Sequence, residues 1–175
     1  MTKQLRATVF DILHSHGVYE EFIAELSKPL PPKPTKKDQE ETADIWSIEI
    51  KAKEGICKFS KPLIIATEAT PSTRVVRLAH SWADVWDVTY DPLYEYSLVR
   101  TTAHPNTWDW IPVNRYSTHQ DGFTVFETKE LVDEAVQYSE DWARVLVERG
   151  YGDVGQAQIV RLGAPQPVVQ MQSRL

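Results

Sequence analysis

Five histidines and one cysteine are the residues of this 175-residue chain best suited to hold a metal or attack a carbonyl, and their spacing argues against both. His14 and His16 stand two apart, which on a helix separates their side chains by about 200° around the axis. His80, His104 and His119 fall at none of the short intervals that zinc sites use. Cys57 lies between Ile56 and Lys58 in a run that reads as strand, where a free thiol ordinarily serves as a small buried hydrophobe. Gly150, Gly152 and Gly155 follow a helical pattern instead of opening one after a strand, so they predict a turn and not a dinucleotide fingerprint. There is no Gly-x-Ser-x-Gly elbow and no phosphate-cradling glycine loop. On these grounds the expectation is a protein without metal or cofactor, leaning away from an enzyme.

Binding chemistry is better represented. Trp108 and Trp110 flank Asp109, and in an extended segment residues two apart project to one side. His104, Arg115, Tyr116 and His119 lie close by in the segment 102–121, whose Pro105, Asn106, Pro112 and Asn114 leave no clear period. Connections longer than about 12–15 residues are usually functional or disordered, and this one is too aromatic to read as simply disordered. Because Trp, Tyr and Arg dominate the few contacts that carry most interface affinity, the six residues are expected to anchor a protein partner. The alternative is that the indoles fold inward to close the core, as buried tryptophan commonly does.

A second candidate surface is acidic. Glu127, Glu130, Asp133, Glu134, Glu140, Asp141 and Glu148 outnumber Lys129, Arg144 and Arg149 over one stretch. A face carrying Asp133, Glu134, Glu140, Asp141 and Glu148 can imitate a phosphate backbone and occupy a basic groove on a nucleic-acid-handling protein. The ordinary alternative is a solvated helix face that aids solubility.

The elements that must position these groups centre on 122–162. Phe123, Val125 and Phe126 begin the stretch as a strand, and the period then changes at Thr128. Leu131, Ala135, Tyr138, Trp142, Val145 and Leu146 recur at helical spacing, predicting one long helix over about 129–149. Thr128 is its N-cap candidate, Glu130 suits the first turn, and Arg149 followed by Gly150 suits the end. The run 158–162 then reads as a strand, completing a strand–helix–strand unit.

Upstream, 1–28 reads as an N-terminal helical arm of two short helices broken at His16-Gly17, since glycine costs about 1 kcal/mol inside a helix. A proline-rich, charged spacer at 29–42 follows, which could let the arm reach another chain. The remainder, 43–175, is expected to be an α+β domain with a mixed or mainly antiparallel sheet. Ile45 to Ile50 alternates as a half-buried strand, with 56–59 as its expected hairpin partner. Residues 62–67 suggest a central strand and 73–78 another. Trp82, Val85 and Trp86 fit a short helix, and strands at 88–90 and 94–101 are expected to flank a turn at Asp91-Pro92. From residue 163 the chain reads as an irregular tail.

Composition narrows the class. With 42% hydrophobic residues the chain can bury one core, hiding roughly 70% of the surface its unfolded form exposes. A formal charge of −6 argues against direct binding to nucleic acid or an anionic membrane, which requires a basic face. The single cysteine permits no internal disulfide, and no apolar run approaches the length of about 20 residues that spans a bilayer, so a cytoplasmic protein is expected.

The order 98–102, 122–128 with its helix, then 159–162 resembles the first half of ADP-ribosyltransferase folds. That resemblance implies NAD binding near Arg100 and Tyr116. The residues themselves favour a non-catalytic protein-binding module, such as an inhibitor of a nucleic-acid or defence machine from a phage or mobile element. A structural subunit that self-associates through 3–26 is a further alternative.

Overall fold

The computed structural model describes residues 2–33, 44–55, 59, 61–83, 88–117 and 122–161. Cys57, Trp86, His119, the charged part of the spacer and the tail from 162 onward lie outside the described residues. The protein is α+β: among the described residues, three helices pack on one face of a seven-stranded sheet. The helices are α1 (Lys3–Ser15), α2 (Tyr19–Ser27) and α3 (Lys129–Arg149). The strands are β1 (Asp44–Ala52), β2 (Leu63–Ala69), β3 (Arg74–Ala83), β4 (Val88–Val99), β5 (Asp109–Ser117), β6 (Gly122–Val125) and β7 (Ala157–Arg161).

Strands β1 to β6 form an antiparallel meander, and the sheet order is β6-β5-β4-β3-β2-β1-β7. The last strand joins the far edge, antiparallel to β1. The strand–helix–strand unit read from the sequence is present, yet its two strands sit at opposite edges of the sheet. Length explains this. Twenty-one residues of α3 span roughly 31 Å, and seven strands at about 4.8 Å spacing are about 29 Å across.

Helix α3 starts where Thr128 Oγ1 accepts from the Leu131 amide, and it ends on Gly150 in the left-handed region at φ 77°. Its inward stripe of Ala135, Ser139, Trp142, Ala143 and Leu146 is buried. Beneath it lie Ile48, Ile50, Leu63, Ile65, Val76, Leu78, Tyr94 and Tyr96, alternate residues of β1 to β4. Strand β2 is buried on both faces, as its unbroken apolar run implies. On the other face, Ile64, Ala66, Ala79 and Leu93 form a small cluster. Beside it Arg77 bridges Glu68 and Glu95, and Asn114 donates to Glu95, so one polar chain crosses four strands.

Several local expectations are corrected. The N-terminal helices break at Gly17, but they are not a free arm: Leu5, Val9, Leu13, Phe22 and Leu26 are sealed in the main core. Thr2 Oγ1 donates to Trp110 O at 2.8 Å, and Arg6 donates to Trp108 O, tying α1 to β5. Association through 3–26 would have to use their exposed side chains. Strand β1 is flanked by β2 and β7, and residues 56–58 of its expected hairpin partner lie outside the described residues. Trp82 belongs to β3 and not to a helix, and Asp91-Pro92 lies within a continuous β4. The segment 102–121 holds a 3-10 turn (Pro105–Thr107) and the inner strand β5. Pairing with neighbours on both sides supplied the order that its own periodicity did not show. No described helix is long and apolar enough to cross a membrane.

Candidate functional site

The two indoles expected to dock a partner are interior groups. Trp108 is 4% exposed and Trp110 1%, both on the helix-covered side of β5. Trp108 Nε1 donates to Thr102 O at 3.0 Å, and the Arg100 guanidinium lies 4.8 Å from its ring. Trp110 meets Phe10 edge to face at 5.8 Å and packs beside Phe22 and Tyr96. The spacing two apart was sound, but α1 and α2 cover the side to which both rings project. The inward alternative therefore holds for this pair.

The other expected anchors are dispersed. His104 is exposed and caps the 3-10 turn, accepting from the Asn106 amide. Tyr116 lies next to Arg115 along β5 and so projects to the opposite face, between Leu93 and Phe123 in register. His119 is outside the described residues. Of the described members of the set, Arg115 lines a cavity beside α3.

Two cavities adjoin Tyr138, an inner and an outer one. The inner one is a cavity of about 40 Å³ lined by Tyr94, Arg115, Phe126, Leu131, Glu134, Ala135 and Tyr138. Strand register places Arg115 between Tyr94 and Thr124, and its guanidinium bonds the Tyr94 hydroxyl. Arg115 Nε is buried with no hydrogen-bond partner, and the residue joins none of the ion pairs among the described residues. Tyr94 and Tyr138 stack with ring centroids 4.9 Å apart and planes 6° from parallel. Burial raises the Tyr94 hydroxyl, against the pull of Arg115, and pushes Tyr138 up to about 12. Both phenols therefore stay protonated at neutral pH.

Tyr138 also walls the outer compartment, a groove of about 260 Å³ lined with His80, Asp141, Trp142 and Val145. Trp142 Nε1 donates to His80 Nε2 at 2.9 Å. An indole nitrogen only donates, so the imidazole proton sits on Nδ1, facing Pro62 O and the Tyr151 hydroxyl, each at 3.3 Å. Tyr151 in turn donates to Lys61 O at 2.7 Å. Burial, reinforced by the Lys61 charge, pushes His80 down to about 4. Its lone pair is occupied by the indole, so His80 fastens α3 and the α3–β7 turn to β3 instead of serving as a base.

Along the cleft rim, Glu134, Tyr138, Asp141, Val145 and Glu148 recur at intervals of four, three, four and three, a single row down α3. Tyr138 is 41% exposed and Val145 42%, unusual for groups that size beside three carboxylates. The other two acidic candidates lie around the helix from this row. Asp133 pairs with Lys129, and Glu140 accepts from the Gln4 amide at 3.3 Å. The row could have been found in the sequence from its heptad spacing. Arg115 could have been flagged as an arginine at an inward strand position, had β5 been recognised.

Arg100 and Tyr116, the residues near which the resemblance implies NAD binding, lie at opposite ends of the β4–β5 pairing. Val99 pairs with Asp109 and Leu93 with Tyr116, six residues along β4, which separates the two ends by about 20 Å. Together the two cavities are lined by a cation, two neutral phenols, apolar walls and carboxylates. No protein-family model matches this chain, and no curated protein or solved structure matches it either.

Proposed function

We propose that this protein is a non-catalytic binding module that docks a basic protein surface along the α3 rim. The observation that carries the reading is the row Glu134, Tyr138, Asp141, Val145 and Glu148, in which exposed apolar groups alternate with carboxylates on one helix flank. Apolar side chains exposed at that spacing supply contact area, and the carboxylates fix which partner is accepted through charge complementarity. A partner that presents lysines or arginines among apolar groups fits this row. The chain's formal charge of −6 adds long-range attraction to it.

The concrete version is an inhibitor or modulator of a nucleic-acid-handling or defence machine, of phage or mobile-element type, acting in the cytoplasm. Such machines carry basic grooves for phosphates, and a carboxylate row can occupy one. Affinity capture from the cells the protein comes from, with wild type beside a Tyr138→Arg/Val145→Glu variant of unchanged melting temperature, tests this. The expected result is a basic partner retained by wild type, lost by the variant and released as salt rises. Capture of the same proteins by both forms, or of acidic proteins only, would refute the docking row.

A further inference from the structure

The inner compartment supports an inference beyond the docking of a protein, and it stands without that reading. We propose that the cavity at Arg115 is a receptor for one carboxylate group, carried on a small aromatic acid whose ring lies against Tyr138 in the outer groove.

Arg115 carries the case. Its guanidinium offers five donors in a planar fork, and among the described residues the acceptor shown for it is the Tyr94 hydroxyl. Its buried Nε has no partner. A carboxylate matches such a fork with two parallel bonds, which is the pairing this cation lacks. The Tyr94 and Tyr138 hydroxyls stay protonated and add neutral donors at the same cavity.

Size and lining narrow the class. About 40 Å³ accommodates a group on the scale of a carboxylate, given about 30 Å³ of liquid per water. The body of the ligand must then lie elsewhere, and the outer groove beyond Tyr138 is walled by Trp142 and Val145. Phe126, Leu131 and Ala135 make the inner wall apolar.

Charge sets the limit at one. Glu134 stands at the cavity, and the Asp91 carboxylate is close enough to oppose ionisation of Tyr138. Asp91 itself accepts from Ser117 Oγ at 2.8 Å, and so it is held in place. A monoanion neutralises Arg115, whereas a phosphate dianion meets the Glu134 carboxylate with its second charge.

The test is a titration of the full chain with sodium phenylacetate, read by the Arg115 Nε–H resonance in nitrogen-15 NMR. Saturable movement of that resonance is expected, with no effect from phenylacetamide and binding of phenyl phosphate about tenfold weaker. Arg115→Gln should abolish binding. Tyr138→Phe, which keeps the ring stack, should weaken it several-fold, and Glu134→Gln should narrow the preference over phenyl phosphate. Either substitution keeps the question open to refutation should Arg115→Gln fail to fold. No saturable movement up to about 10 mM phenylacetate, or equal movement with phenylacetamide, would show a water-filled packing gap and overturn the assignment. Unchanged affinity in both Tyr138→Phe and Glu134→Gln would overturn it as well.

Discussion

Acidification should loosen this protein through one side chain, His80. Its imidazole takes a proton near 6.5 in an unfolded chain but only at about 4 in the folded one. The cause is burial, with help from the charge of Lys61, while the Pro62 carbonyl opposes it. Between those values the unfolded state binds more protons, so stability is complete above about pH 6.5 and falls as the pH drops towards 4. At 1.36 kcal/mol per pH unit the full effect is about 3 kcal/mol, and about 2 kcal/mol of it is gone by pH 5. That is a large share of the 5–15 kcal/mol that holds a typical domain together. Structure predicts the same direction: a proton on Nε2 would confront the donating Trp142 Nε1, now 2.9 Å away. The assay is urea unfolding of wild type and His80→Gln at pH 7, 6, 5 and 4.5. Carboxylates common to both cancel in the difference, so the stability of wild type over the variant should shrink by about 2 kcal/mol between pH 7 and 5. A difference flat to within about 0.5 kcal/mol over that range would refute the buried neutral imidazole.

Further outcomes follow from packing. Trp110→Ala should cost about 3–5 kcal/mol in urea unfolding because the ring is sealed among Phe10, Phe22 and Tyr96, while Phe123→Ala, 62% exposed, should change stability by less than about 0.5 kcal/mol. Arg74 is a buried cation that donates to Glu25 O and Pro29 O at the end of α2; Arg74→Met should cost about 2 kcal/mol and speed amide exchange in α2. Thr128→Ala should remove about 1 kcal/mol through the lost cap on α3. Gly150→Ala should cost about 1 kcal/mol, measured the same way, because its φ of 77° disfavours a side chain although space for one exists.

Helix α3 was legible because an amphipathic period, a Thr cap and a terminal Gly agree over Lys129–Arg149. The break at Gly17 and the buried run of β2 were legible for the same local reason. Strand β5 was not. Its polar, proline-containing residues alternate weakly, and its order comes from pairing with β4 and β6. Missing that strand turned Trp108 and Trp110 into apparent loop anchors and hid Arg115 as an inward-facing cation. Likewise nothing in the order of β6, α3 and β7 says that the two strands lie at opposite edges, since helix length permits return to any edge within about 30 Å.

By itself the sequence determined an α+β chain with one long capped helix, a kinked helical pair at the start and an acidic surface, because propensity, capping and periodicity act among near neighbours. Only the tertiary structure decided which side of β5 is covered, that the first helices belong to the core, and that Arg115, Tyr94 and Tyr138 share a cavity. Those outcomes depend on contacts between residues far apart in the chain, and burial there follows from which element lies across the sheet.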